Sequence, residues 1–255
     1  MPSEIFEYRP QSKGVGDVPA AGEPAPRRRV LLARPWSAIR AWLLSPLACV
    51  VLLGVVVAPL AAVDFDKIRV LAQQRYGQRA ADTVVTWRRL VAEGQALPDA
   101  QKLTRVNTFF NRLIRFESDL VVWNQADYWA TPLELIGKGA GDCEDFVIAK
   151  YITLKLMGVH DEQLRLIYVR ALSGSSVSEA HMVLGFYAQP TAEPMVLDNL
   201  ISSVRPASQR SDLVPVFSFN AAGLWVGGAG TSSADPTARL SRWRDLLERM
   251  RKDGL

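Results

Sequence analysis

Apolar residues along this 255-residue chain first run unbroken, then recur every three to four positions, then alternate. Residues 64–77, "DFDKIRVLAQQRYG", place Phe65, Ile68, Leu71 and Ala72 at helical spacing, and Gly77 is a plausible stop. Residues 81–94 repeat the pattern through Val84, Trp87, Leu90 and Val91, ended by Gly94. A third helix opens at Pro98 and Asp99, both helix-start signals, with Leu103, Val106, Phe109, Phe110, Leu113 and Ile114 on its apolar face. Residues 117–141 read as a loop-rich approach made pliant by Gly137, Gly139 and Gly141. A helix follows, with Asp142 as N-cap, Phe146, Ala149, Ile152, Thr153 and Leu156 on one face, and Gly158 as its end. Beyond it the period falls to two: "QLRLIYVR", "AHMVLGFYA" and "EPMVLDNL" read as strands, with "VFSFN" and "LWVGG" as weaker ones. The tail is an amphipathic helix with Leu240, Trp243, Leu246, Leu247 and Met250 on one side, expected to pack on the domain.

Charge changes the picture at the N-terminus. The net charge is +4, but residues 1–63 carry 7 Lys and Arg against 4 acids, so the remainder is close to neutral. A near-neutral folded part argues against nucleic acid as a partner. Arg27, Arg28, Arg29, Arg34 and Arg40 precede an uncharged run from Ala41 to Val63. As a helix that run would be about 34 Å long, enough for about 30 Å of hydrocarbon. The basic flank holds the N-terminus in the cytoplasm and sends the downstream chain across the inner membrane. Three parts are therefore expected: a disordered basic cytoplasmic leader over 1–40, a signal or transmembrane segment over 41–63, and an exported domain over 64–255. The segment is either cleaved or kept as a membrane anchor.

The exported domain has one cysteine, Cys143, because Cys49 lies inside the apolar run. It cannot form an internal disulfide, and an unpaired thiol in an oxidising compartment calls for a reason. Cys143 sits in "GAGDCEDF", among Asp142, Glu144 and Asp145, although neighbouring carboxylates oppose a thiolate. Its place on the first turn of a helix works the other way, since free N–H groups and the helix dipole stabilise the anion. The chain has two histidines. His160 falls in the polar loop "GVHDEQ", whereas His181 opens a strand from which imidazole can reach a thiol on a core helix. Asp198, at the end of "MVLD", suits the role of orienting partner. Cysteine, histidine and aspartate in that order form a papain-like arrangement. An inert buried cysteine, a satisfied core histidine and a capping aspartate account for the same residues.

The stretch "DYWATPLELIGKGAGDCEDFVIAKYITLKLMGV", with "AHMVL" and "VLDNL" downstream, resembles the bacterial transglutaminase-like cysteine proteinases, and more closely their LapG-type periplasmic members. The resemblance implies an α+β, papain/transglutaminase-like fold: N-terminal helices, and a nucleophile at the start of a core helix packed on an antiparallel sheet. It implies Cys143, His181 and Asp198 as the triad, with the Cys143 N–H as half of an oxyanion hole and Trp123, Asn124 or Gln125 as candidates for the other half. It implies cleavage next to a di-alanine motif near the N-terminus of a large surface adhesin, which frees the adhesin and disperses biofilm. An inner-membrane receptor responsive to cyclic di-GMP is the implied inhibitor. Calcium is the implied cofactor, held by acids flanking the nucleophile: Asp142 and Glu144, with Asp145 as a third. Without a metal, Asp142 is explained as an N-cap, and Glu144 and Asp145 as acids that complement the helix dipole. Two other functions fit the same residues: transglutaminase or amidase acyl transfer on this fold, and a periplasmic binding module that has lost catalysis.

Overall fold

The computed structural model describes residues 63–172, 178–227 and 231–255. The leader 1–40 and the apolar segment 41–63 lie outside the described residues, apart from Val63. Among the described residues no helix is long and apolar enough to cross a membrane.

Three helices come first: α1 (Phe65–Tyr76), α2 (Gln78–Gly94) and α3 (Asp99–Leu113). Asp64 caps α1 by accepting from the Lys67 N–H at 2.9 Å, and Gly77 ends it at a φ of +86°. Each buries the face its periodicity marks, with Ile68, Val84, Trp87, Val91, Leu103, Val106 and Phe110 all in the core. The next stretch is more ordered than its composition suggests. It holds strand β1 (Arg115–Phe116), helices α4 (Asp119–Trp123) and α5 (Pro132–Lys138), and strand β2 (Ala140–Gly141). The start of α5 was legible in "TPLE": Thr131 and Glu134 form a reciprocal capping box, with Pro132 on the first turn.

Helix α6 (Cys143–Leu156) follows, then strands β3 (Leu164–Leu172), β4 (Ser178–Phe186), β5 (Met195–Leu197), β6 (Arg205–Pro206), β7 (Leu213–Phe219) and β8 (Leu224–Val226). The chain closes with α7 (Pro236–Arg239) and α8 (Ser241–Asp253). The six strands form one antiparallel sheet in the order β6-β5-β4-β3-β7-β8. Helix α6 packs on β4 and β3, with α3, α5 and α2 on its other sides. It is therefore buried nearly all round, from Asp145 to Tyr151 and again at Thr153 and Leu154, and not along the single face its apolar spacing suggested. The expected α+β arrangement, helices then an antiparallel sheet with Cys143 opening the core helix, is what the chain adopts. Strand alternation splits the sheet. Leu166, Met182, Leu184, Phe186 and Leu197 face the main core, while Ile167, Val169, Val183 and Val196 form a second, smaller cluster on the outer face. The tail helix α8 packs as expected, its buried Trp243 edge-on to Phe219 at 5.3 Å and Tyr151 at 5.8 Å.

The glycines of the "GKGAG" run serve close packing. A Cβ on Gly137 would lie 2.3 Å from a carbon of the Tyr76 ring, and one on Gly141 would lie 2.4 Å from Asp145 Oδ2. Only Gly139, at a φ of +65°, is a turn residue, and it ends α5. Gly137→Ala is expected to push the Tyr76 ring from its seat and lower stability by about 1–3 kcal/mol. The check is the urea midpoint of unfolding; a shift within error would show that the ring yields freely.

Candidate active site

Cys143 is positioned by the parallel pairing of β1 and β2, which aligns Arg115 with Ala140 and Phe116 with Gly141. The Glu117 N–H bonds Gly141 O at 3.0 Å, so the chain enters α6 from a fixed direction. Asp142 occupies the N-cap position but makes no side-chain capping bond. Asp145, three residues on, fills that role from the other side: its carboxylate accepts from the Ala130 N–H at 2.6 Å and from the Asp142 N–H. The contact is close because residue 141 lacks a side chain.

The Cys143 thiol is half-buried and donates to Glu144 Oε2 at 2.7 Å. The other Glu144 oxygen accepts from the Tyr168 hydroxyl at 3.1 Å, and the Tyr168 ring stacks on Phe217 at 4.7 Å. Burial, then the Glu144 charge, push the thiol well above its usual range; the Met182 N–H facing the sulfur opposes this. Met182 adjoins His181 on β4, so the sulfur lies against the strand that carries the imidazole. His181 is 5% exposed and Asp198 1%. His181 Nε2 lies 2.9 Å from Asp198 Oδ1, and Asp198 Oδ2 accepts from Arg210 at 2.8 Å. Burial alone would raise the Asp198 carboxyl. Hydrogen bonds from His181, the Leu200 N–H and Arg210 outweigh it and hold the group at about 2. An ionised Asp198 only accepts, so His181 carries its proton on Nε2 and keeps Nδ1 free to take another. His160, by contrast, is exposed at the turn after α6.

Beside the thiol, Asp119, Asp142 and Asp145 each present an oxygen, all within 4.8 Å of one another. Asp119 Oδ1, Asp142 Oδ1 and Asp145 Oδ2 are buried without hydrogen-bond partners. Burial, then repulsion from Glu144 and the neighbouring aspartates, push Asp142 up to about 9, Asp145 well above its usual range, and Asp119 in the same direction. Three oxygens so placed suit a hard cation, which replaces their missing donors and cancels their charge. Two of the three acids expected beside the nucleophile, Asp142 and Asp145, join this cluster. Glu144 lies beside it, its carboxylate against Cys143, Tyr168 and the Asp142 side chain, and Asp119 joins the cluster as a member the sequence did not mark.

The sequence pattern of the bacterial transglutaminase-like cysteine proteinases (BTLCP) matches residues 74–226. The chain belongs to this family. It is similar to LapG of Legionella pneumophila, at 40% identity and a TM-score of 0.66 against an EGTA-treated structure, over 74% of this chain and 99% of that one. Against the calcium-bound structure of that LapG the identity is 41% and the TM-score 0.64, with the same coverage. No curated protein sequence matches the chain. As a transglutaminase-like cysteine proteinase, the chain has the fold that its sequence suggested.

Sequence reasoning passed over three residues that touch the candidate site and one charge buried within α6. Asp119 lies 23 residues before Asp142, and nothing in "ESDL" marks it. Arg210 bridges Asp198 and Asp212, each at 2.8 Å, from a turn that carries no pattern. Tyr168 reads as an ordinary strand residue. Lys150 had a signal, as the single charge in "FVIAKYITL", and is 0% exposed. Trp123 packs against Tyr128 with ring centroids 4.5 Å apart, while Asn124 and Gln125 are exposed beyond α4. Trp129 belongs to the core, stacked on Phe219 at 5.7 Å.

Proposed function

We propose that the chain is a calcium-dependent cysteine endoprotease of the periplasm that cleaves near a di-alanine motif in the N-terminal region of a large surface adhesin. Cleavage would release the adhesin and disperse biofilm. The observation that carries the proposal is a thiol on the first turn of α6 that meets the Met182 N–H of β4, next along that strand to the buried His181–Asp198 pair, with a three-aspartate cluster that includes its neighbour Asp142. Likeness to LapG, over nearly the whole of that chain, supports the substrate class, and the calcium-bound form of that protein supports the ion.

In this reading Cys143, His181 and Asp198 are the triad. His181 Nδ1 takes the thiol proton, and Asp198 holds the ring and stabilises its positive charge. The thiolate attacks the scissile carbonyl, and the Cys143 N–H, unpaired at the start of α6, stabilises the oxyanion. His181 then protonates the leaving amine and activates the water that frees the acyl group. Asp119, Asp142 and Asp145 would hold calcium. A bound dication supplies positive charge beside the thiol, offsets the carboxylates and fixes the turn that presents Cys143. Residues 41–63 would export the domain or anchor it. An inner-membrane receptor that reads cyclic di-GMP would restrain the enzyme.

The test incubates the enzyme with an adhesin N-terminal fragment carrying the di-alanine motif, with and without an amine donor. Two fragments with termini at that motif, lost in Cys143→Ala, are expected. Amine incorporation without cleavage would assign acyl transfer instead, and no reaction at all would leave a binding module. Chelation is expected to slow Cys143 alkylation by iodoacetamide at least about tenfold at neutral pH, the equivalent of one pKa unit. Asp119→Asn is expected to reproduce the loss with chelator absent. Equal rates with calcium and with EGTA would remove the ion from the account.

A further inference from the structure

The outer face of the sheet carries a cavity of about 110 Å³. Ile167, Val183 and Val196 belong to its walls, together with Arg165 and Arg210, and no acidic residue lines it. Arg165 is 8% exposed and lies between two rings, 4.1 Å from the Trp225 centroid and 4.8 Å from that of Tyr187. The rings fix the plane of the guanidinium without neutralising it. Its Nε is buried without a hydrogen-bond partner, and among the described residues no carboxylate pairs with it. A buried guanidinium with no carboxylate partner is costly unless an anion completes it. Arg210 lines the cavity while donating to Asp198.

We propose that this cavity is a binding site for a medium-chain alkyl carboxylate, its head group on Arg165 and its chain along the Ile167, Val183 and Val196 floor. The charge of the walls selects an anion, their apolar surface selects an alkyl body, and the planar fork of Arg165 selects a carboxylate. The site is separate from the thiol cleft and does not depend on the proteolytic reading.

The test is calorimetric titration of the full-length chain in lipid nanodiscs with octanoate, with empty discs as the blank for partitioning. A saturable one-site heat is expected for octanoate. Octanol, of the same length but uncharged, is expected to bind at least about tenfold more weakly, as a lost charge-assisted bond requires. Arg165→Met should cost octanoate the same factor. Ala207→Phe, a half-exposed position at the cavity wall, should abolish binding by filling the space. Each variant is compared with wild type by its unfolding midpoint, and Ala207→Phe decides the matter if Arg165→Met does not fold. No heat above the empty discs, equal affinity for octanol, or undiminished binding by folded variants would each overturn the proposal.

Discussion

Asp198→Asn is expected to lower kcat/KM for the adhesin fragment by about 10³–10⁴-fold, as much as His181→Ala, while leaving the fold intact. The reason is the proton, not the shape. Asp198 accepts from His181 Nε2 at 2.9 Å and thereby leaves Nδ1 as the free base. An asparagine there can turn its amide to donate to Nε2. The ring proton then moves to Nδ1, where it blocks uptake of the thiol proton. Arg210 keeps a partner in Asp212 at 2.8 Å, so the local structure has no new orphaned cation. The measurement is kcat/KM together with the iodoacetamide rate, which should fall in both variants; circular dichroism and the unfolding midpoint check the fold. A variant that kept more than about a tenth of the activity would show that another group acts as the base or holds it. The same pair predicts acid sensitivity. The Asp198 carboxyl sits at about 2 in the folded protein, below its ordinary 3.8. Its contribution to stability, roughly 2 kcal/mol, is present above pH 4 and lost as pH falls through 2.

Lys150→Met is expected to stabilise the protein at pH 7 by roughly 3–5 kcal/mol. Lys150 lies inside α6 with its Nζ buried and unpartnered, 5.5 Å from the centre of the Phe146 ring. Burial lowers its ammonium from 10.5 to about 7, and the Asp198 charge, which works in the other direction, does not compensate. Between those two values the unfolded chain holds a proton that the folded protein has shed. Unfolded protein thus binds more protons in that window, and wild-type stability should rise with pH from 7 toward 10. Methionine has nearly the same length and no charge to desolvate, so the variant should be more stable at neutral pH and lose this slope. Urea midpoints for both proteins at pH 7 and pH 9.5 decide the question. A variant less stable at both values would mean that the ammonium is needed to balance Asp198.

The elements that carry the site were written in local pattern. Cys143 comes after a run of glycines and an aspartate at the N-cap position, so a helix start there needed only helical spacing downstream. His181 and Asp198 lie in segments of period two, and the scarcity of histidine left His181 the one imidazole on a patterned strand. The cysteine proteinase fold was legible for the same reason, since core helix and sheet announce their faces through burial. Glycines were read less well, because φ freedom and lack of a Cβ look identical in sequence. Gly137 and Gly141 are small for the sake of Tyr76 and Asp145, which only the packed chain brings near.

Contacts distant along the chain were decided by tertiary structure alone. Asp119 reaches Asp142 and Asp145 because β1 and β2 pair and draw the start of α4 to the start of α6. Glu144 and Asp145 are adjacent in sequence, yet the turn of a helix sends one carboxylate to the thiol and the other to the aspartate cluster. Arg210 meets Asp198 because the turn before β7 folds back over β5. A single sequence records which groups can carry charge and which faces are apolar. Which charges share a buried space, and hence which of them must be paired, protonated or bound to a cation, is set by the desolvation that only the closed core imposes.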